Sequence, residues 1–502
     1  MAGKREKVEK RRLGTLRSRT KNLVPPKEKD GVKNKKTATL KQKTAQRPTR
    51  ILSINPYTDE VMKKYPLMSM AELNGQVGES RAAFVKWRDV PVADRAAMLK
   101  KLAIVLRAEK RTYAELITKE MGKPIREALA EVEKCAVLAD YYAANTVEFL
   151  KPEEIKTEAK KSYVMYQPLG IVLAVMPWNF PFWQAFRFGV PAVAAGNVAL
   201  LKHASNVPMT ALAIEEAFTK AGFPDSVFKT LLIDVPQTLG LIDDDLVDAV
   251  SLTGSNRAGE DIGAHAGRKI KKVVLELGGS DPFVVLDDAD VTKAGRMAAN
   301  ARMINTGQSC IAAKRFIVMD TVAEEFTKHF LARLKELKMG DPMDEGTDIG
   351  TVARKDILDG LKEQLRDAKA KGALVLTSGQ TFTKGLFFTP CVVLNTKPNM
   401  KVVTEEVFGP IAPVITVKDE DEAIRVANDT AYGLGAAIWS RDLERAERLA
   451  GRIESGTVTI NDMVKSDPRL PFGGIKKSGV GREMSHHGIK EFVNIKTVVV
   501  RE

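Results

Sequence analysis

Three short segments of this 502-residue chain carry reactive side chains that ordinary packing does not explain. The first, "NTGQSC", ends in Cys310, whose neighbours Asn305, Thr306, Gly307, Gln308 and Ser309 are polar or small. A free cysteine more often behaves as a small buried hydrophobe. A thiol in a polar, glycine-containing loop is instead open to approach and to ionisation, and the thiolate is the nucleophilic form. The second segment, "VVLELGG", sets Glu276 inside an apolar strand that stops at two glycines. A carboxylate is costly to bury there, and burial raises its proton affinity, which suits a general base. A strand-end carboxylate facing solvent is the plainer alternative. The third, "MPWNFPFWQAFR", holds Asn179 between Trp178 and Phe180. An amide in that setting must hydrogen-bond to something, and a developing oxyanion is one candidate.

A fourth segment, "SLTGSNRAGEDIG" at 251–263, ends a strand at Thr253 and frames the mouth of a helix with Gly254 and Gly259. Backbone N–H groups at a helix N-terminus suit a pyrophosphate. The spacing is not GxGxxG, and a strand–glycine–helix turn also serves as a simple tight connection.

These residues need a scaffold, and the hydrophobic periodicity supplies one. Order is expected from Ile51, where "ILSINPYTDEVM" reads as strand, turn and strand. Between 69 and 149 apolar residues recur at three- and four-residue spacing, which predicts helices, with Asp94 as an N-cap. Beyond that, "SYVMYQPLG", "IVLAVMP", "VALLKH", "VFKTLLI", "AVSLTG" and "KKVVLELGG" read as strands, alternating from "IVLAVMP" onward with longer helical segments. A second alternating series starts at "PFVVLD" and continues through "KRFIVMD" and "LVLTSG". Short apolar strands separated by helices predict parallel sheets covered on both faces. Two successive α/β lobes follow, with a nucleotide site at the carboxyl ends of the first lobe's strands.

Taken in order, PWNFP, LLKH, the TGS(x)3G turn, LELGG, NTGQSC, EEVFGP and PFGGIKKSG run from 177 to 479. That succession resembles the aldehyde dehydrogenase superfamily, and the resemblance extends over 51–502. Within it, "MPWNFPFWQ", "LLKHASN", "LELGGSDPFVVL" and "KKSGVGREMSHHG" are most similar to bacterial-type succinate-semialdehyde dehydrogenases. The resemblance implies an α/β, aldehyde dehydrogenase-like fold of two Rossmann-type doubly wound lobes plus a small β oligomerisation element. It divides the chain into a cofactor-binding domain (51–149 and 167–276), a catalytic domain (277–485) and oligomerisation strands (150–166 and 486–502).

It also implies roles. Cys310 attacks an aldehyde, Asn179 Nδ2 and the Cys310 N–H hold the oxyanion, and Glu276 activates the water that hydrolyses the resulting thioester. Trp178, Lys202, Ser205, Gly254, Ser255, Gly259, Glu406 and Phe408 line an NADP or NAD site, and Arg187 with Ser466 meets the substrate. The expected reaction is oxidation of succinate semialdehyde to succinate, the alternative being a broader aliphatic or aromatic aldehyde dehydrogenase. An acylating, coenzyme A-dependent enzyme is disfavoured because Glu276 fills the water-activating position. A homodimer or homotetramer is expected, and no metal.

Two departures qualify the transfer. Where NAD-preferring relatives place a glutamate three residues after the lysine, this chain has Ser205, so NADP should be accepted at least as well as NAD. The second arginine of some succinate-semialdehyde dehydrogenases, six residues before the nucleophile, is here Ile304. Arg302 and the loop bearing Ser466, Asp467 and Arg469 are candidates to compensate, and Arg187 has a structural ion pair as its even alternative. Ile311 and Ala312 follow Cys310, so no neighbouring thiol can close a disulfide with it. Cys135 and Cys391 read as packed core, and His486 with His487 as surface.

Composition removes the main rival. The net charge of +14 resides in residues 1–50, which carry 18 basic and 4 acidic side chains, so the remaining chain is neutral. A basic, apolar-poor segment of this kind predicts a disordered extension and no required nucleic-acid partner. The 44% hydrophobic content suits a soluble enzyme, and no membrane span or secretory signal is evident. A cytoplasmic location is expected, the alternative being the mitochondrial matrix if 1–50 is a targeting peptide.

Overall fold

The structure, a computed structural model, describes residues 49–382 and 385–502. The expectation of a disordered extension at 1–50 therefore falls almost wholly outside the described residues, although Arg50 already opens a strand. That strand, Arg50–Ile54, pairs antiparallel with Val61–Pro66. Helices Met70–Trp87, Val92–Ala108, Lys110–Met121 and Ile125–Phe149 follow. The first is closed by a capping box between Ser69 and Glu72. Asp94 is not an N-cap. Pro91 holds that position, and Asp94 sits inside the first helical turn as an acid favoured by the helix dipole.

Six strands form the first large sheet, in the spatial order Gly479–Val480, Lys272–Glu276, Val247–Thr253, Ile171–Met176, Val198–His203 and Phe228–Thr230. All pair in parallel except Gly479–Val480, which runs antiparallel to Lys272–Glu276. The chain winds outward in both directions from Ile171–Met176, so the switch point lies between that strand and Val247–Thr253. Ligands of doubly wound sheets bind in the crevice at this place. Helix Pro181–Ala194 is buried at every position, which explains why its sequence is apolar all round.

Seven strands form the second sheet, ordered Leu374–Thr377, Cys391–Leu394, Ile411–Val417, Arg315–Met319, Pro282–Val285, Gly435–Trp439 and Thr457–Ile460. Only Leu374–Thr377 is antiparallel to its neighbour. A third sheet is small and antiparallel: Val493–Val500 pairs along its whole length with Lys161–Pro168, which also pairs with Glu153–Glu154. Val493–Val500 occupies an edge and leaves Ile495, Val499 and Val500 exposed. Cys135 and Cys391 are fully buried, as their apolar surroundings predict, and His486 and His487 are exposed. Among the described residues no helix is long and apolar enough to cross a membrane.

Candidate active site

Cys310 is presented by a loop that regular backbone could not make. Asn305, Thr306 and Gly307 all take left-handed φ values of 52°, 55° and 78°. Gly307 packs so closely on the Gly409 backbone that a Cβ would collide with it, so both its conformation and its contact require glycine. Strain of this kind persists only where surrounding bonds over-determine it. Here they do: Arg302, fully buried, donates to the carbonyls of Gly307 at 2.6 Å, Ala313 at 2.9 Å and Val407 at 3.1 Å.

The loop is laced to Asn179. Asn179 Nδ2 donates to the Gln308 carbonyl at 3.1 Å, while Asn305 Nδ2 donates to the Asn179 carbonyl at 2.7 Å and to the Gln308 carbonyl at 3.0 Å. A primary amide has two N–H groups, so Asn179 keeps one for a ligand beside Cys310. On the other flank, Lys314 Nζ donates to the Ser309 carbonyl at 3.0 Å and the Cys310 carbonyl at 2.6 Å. The same ammonium pairs with Glu406 at 3.3 Å, and Glu406 also accepts from the Gly279 N–H at 3.1 Å.

Glu276 ends its strand next to this assembly. A Cβ on Gly279 would lie 2.7 Å from the Cys310 carbonyl oxygen, so the glycines after Glu276 are what let the strand end approach the thiol loop. Glu276 is buried, and its Oε1 has no hydrogen-bond partner. Burial holds its pKa well above the ordinary carboxylate range, with Arg187 opposing and Glu483 adding to the rise. Burial likewise pushes the Cys310 thiol up to about 11, against the pull of Arg187 and Lys314. The polar neighbours of Cys310 thus face backbone carbonyls and one another, and the thiol is less ready to ionise than its local sequence suggests.

Arg187 is occupied. Its Nε forms an ion pair with Glu483, its Nη2 donates to Thr253 Oγ1 at 3.4 Å, and its guanidinium lies 4.7 Å from the Phe472 ring centre. It nonetheless borders a cavity of about 420 Å³ that also reaches Cys310, Ile304, Trp183 and Ser466. Arg302 is fully buried, its Nη groups bond backbone carbonyls, and it does not line the cavity. Asp467 and Arg469 form an exposed pair of their own at 2.6 Å. Of the proposed compensating loop, Ser466 alone faces the cavity, accepting from Lys134 Nζ at 2.5 Å.

The remaining site residues gather at the carboxyl ends of the first sheet. Trp178 and Phe408 meet edge to face with ring centres 5.7 Å apart. Lys202 is the last residue but one of the strand Val198–His203, half-buried and with its pKa lowered by desolvation, and Ser205 is exposed just beyond. Ser255 caps helix Asn256–Arg268, its Oγ accepting from the Ala258 N–H at 3.3 Å. Gly259 packs on Leu277, where a Cβ would come within 2.6 Å. A dinucleotide fits this ledge: glycine keeps the helix mouth low, its N–H groups suit a phosphate, and no carboxylate stands at Ser205 to repel another.

Sequence reasoning missed Lys314, Asn305, Gln308, Lys134 and Glu483. Lys314, a cation between "IAA" and the apolar strand "RFIVM", carried a readable signal. Glu483 carried none, because the fold alone brings it to Arg187.

A thiol near an amide donor and a buried carboxylate, in an α/β protein with a doubly wound sheet, has the parts that covalent catalysis needs. Sequence comparison names the family: residues 43–498 match the aldehyde dehydrogenase family, and the chain belongs to it. It is 48% identical over 449 residues to a protein of Synechocystis sp. named a probable NADP(+) succinate-semialdehyde dehydrogenase, covering 89% of this chain and 99% of that one. An Escherichia coli protein named a NAD(P)+ succinate semialdehyde dehydrogenase is 45% identical over 451 residues, covering 90% and 98%. Among solved structures, the succinic semialdehyde dehydrogenase of Streptococcus pyogenes in complex with NADP+ superposes with a TM-score of 0.88 at 37% identity. That match covers 90% of this chain and all of the other.

Proposed function

We propose that this aldehyde dehydrogenase oxidises succinate semialdehyde to succinate and uses NADP at least as well as NAD. The observation that carries the chemistry is Cys310 opening on a cavity, in a loop bonded to Asn179 at Gln308 and approached by the strand end that bears Glu276. The identity to relatives named for that substrate supports the substrate, and the exposed Ser205 supports the cofactor.

In the reaction Cys310 Sγ, having released its proton to water, bonds to the aldehyde carbon. The carbonyl oxygen takes the negative charge, and the free N–H of Asn179 with the Cys310 backbone N–H stabilises it. Lys202, Ser205, Ser255 and the glycine mouth would hold the dinucleotide, with Trp178, Glu406 and Phe408 toward its nicotinamide end. When bound, the nicotinamide supplies the hydride acceptor. Glu276, its proton affinity raised by burial, then takes a proton from the water that attacks the thioester carbon, and Cys310 leaves as the thiolate. Arg187, tied to Glu483, steadies the field around both groups.

The domain division given by the family resemblance is part of this proposal, as is association into a dimer or tetramer. The apolar edge strand Val493–Val500 supports association, since an unpaired edge of that kind invites a partner strand. A cytoplasmic location is proposed on the same footing. One observation favours a broader aldehyde specificity: Arg187 is already paired with Glu483. A panel of succinate semialdehyde, butanal and benzaldehyde with each cofactor decides. The proposal expects kcat/KM to favour succinate semialdehyde over butanal by more than roughly tenfold, about 1.4 kcal/mol. Equal values, or a tenfold preference for NAD, refute the substrate or the cofactor part respectively.

A further inference from the structure

The left-handed turn at 305–307 is anchored on each of its residues. Arg302 holds the Gly307 carbonyl at 2.6 Å, and Thr306 Oγ1 accepts from the Gly350 N–H at 3.1 Å. Asn305, fully buried, is anchored through its backbone: its N–H donates to Glu127 Oε2 at 2.8 Å. Glu127 lies in the first turn of helix Ile125–Phe149, far away in the chain. Among the described residues it makes no ion pair.

Asn305 is where the oxyanion and nucleophile segments meet. Its side chain donates to the Asn179 carbonyl at 2.7 Å and to the Gln308 carbonyl at 3.0 Å. The bond to Glu127 therefore fixes the backbone from which both of these reach. The same helix grips the oxyanion segment too. One turn after Glu127, Glu131 accepts from the Trp183 N–H at 3.0 Å and pairs with the fully buried Lys123. That ammonium lies 3.7 Å from the Phe180 ring centre, next to Asn179. With Lys123 held by Glu131 and Arg126 by Asp348, Glu127 is the carboxylate of this helix turn that is given to the loop.

We propose that Glu127 is a positioning residue for the reaction at Cys310: through the Asn305 N–H, its carboxylate fixes the turn that sets Cys310 against Asn179. This rests on the reading of Cys310 as nucleophile and Asn179 as oxyanion donor. A displacement of about 1 Å in such a pair costs on the order of a hundredfold in rate.

Glu127→Met keeps an unbranched stem and removes the acceptor. Single-turnover NADPH formation, with enzyme in excess of aldehyde and NADP+ saturating, reads the maximal rate and the half-saturating enzyme concentration separately. The pH is set above the value of about 7 to which desolvation raises Glu127, so that its carboxylate is ionised. The maximal rate should fall roughly ten- to a hundredfold, equally for succinate semialdehyde and butanal, with half-saturation within about twofold. Glu127→Gln, whose amide oxygen still accepts the Asn305 N–H, should stay within about fivefold of wild type. Glu127→Asp, charged but drawn back by one methylene, should be as slow as Glu127→Met, and it carries the test if that variant does not fold. A maximal rate within about twofold of wild type in either variant overturns the proposal, whatever happens to half-saturation. So does a Glu127→Gln enzyme as slow as Glu127→Met. A loss confined to one aldehyde overturns it as well, by making Glu127 a substrate contact. Cys310→Ser separates the two readings: if it keeps wild-type turnover, the nucleophile reading falls and the proposal with it, whereas an inactive Cys310→Ser beside a fast Glu127→Met sinks the proposal alone.

Discussion

Asn179→Ala is the sharpest probe of the oxyanion site, because the structure separates its catalytic cost from its structural one. Asn179 Nδ2 spends one N–H on the Gln308 carbonyl, but that carbonyl also receives Asn305 Nδ2 at 3.0 Å. Removing the amide therefore orphans no acceptor in the nucleophile loop, and the Asn179 carbonyl still holds Asn305 at 2.7 Å. The lost neutral hydrogen bond should cost about 1 kcal/mol, and Tm should fall by only about 2 °C in a chain of this size. In the proposed mechanism the other N–H meets charge that exists only once Cys310 has added to the aldehyde. Losing a donor of that kind costs about 3 kcal/mol, so kcat should drop roughly a hundredfold with KM little changed. Reduced-nicotinamide absorbance in stopped flow, with thermal unfolding of the same preparations, reads both quantities. A kcat within about fivefold of wild type would refute the oxyanion role. So would a fall in Tm of about 10 °C or more, which would show the amide to be holding the loop instead.

Two further outcomes follow from the same site. Glu276→Gln should preserve the first burst of hydride transfer and depress steady-state turnover, since its carboxylate is needed when water attacks the thioester; loss of the burst would show that Glu276 also takes the thiol proton. Because burial holds Cys310 near about 11, alkylation by iodoacetamide without cofactor should speed up about tenfold per pH unit from 7 to 10, as the thiolate fraction grows. A plateau near pH 8 would contradict the burial argument.

The parts of this molecule legible in the sequence are those specified by neighbours in the chain. The parallel sheets followed from short apolar strands set between helices, and Glu276 stood out because charge is rare inside such a strand. Even local reading has limits. Asp94 looked like a cap because it precedes an apolar run, yet Pro91, which presets the entry to the helix, takes that position. Cys310 looked open because its neighbours are polar. It is half-buried on the cavity wall in a loop whose carbonyls are held by Lys314 and Asn179, and its surroundings make the thiol hold its proton more firmly.

Arg187 shows why the rest could not be read. Its sequence context is the same whether its guanidinium meets a substrate or a side chain, and the ion pair with Glu483 is made by a residue that the fold delivers from a distant segment. Once paired, Arg187 has a different use. It opposes the burial that raises both Cys310 and Glu276, so one fixed cation favours the charged forms of the proposed nucleophile and base together.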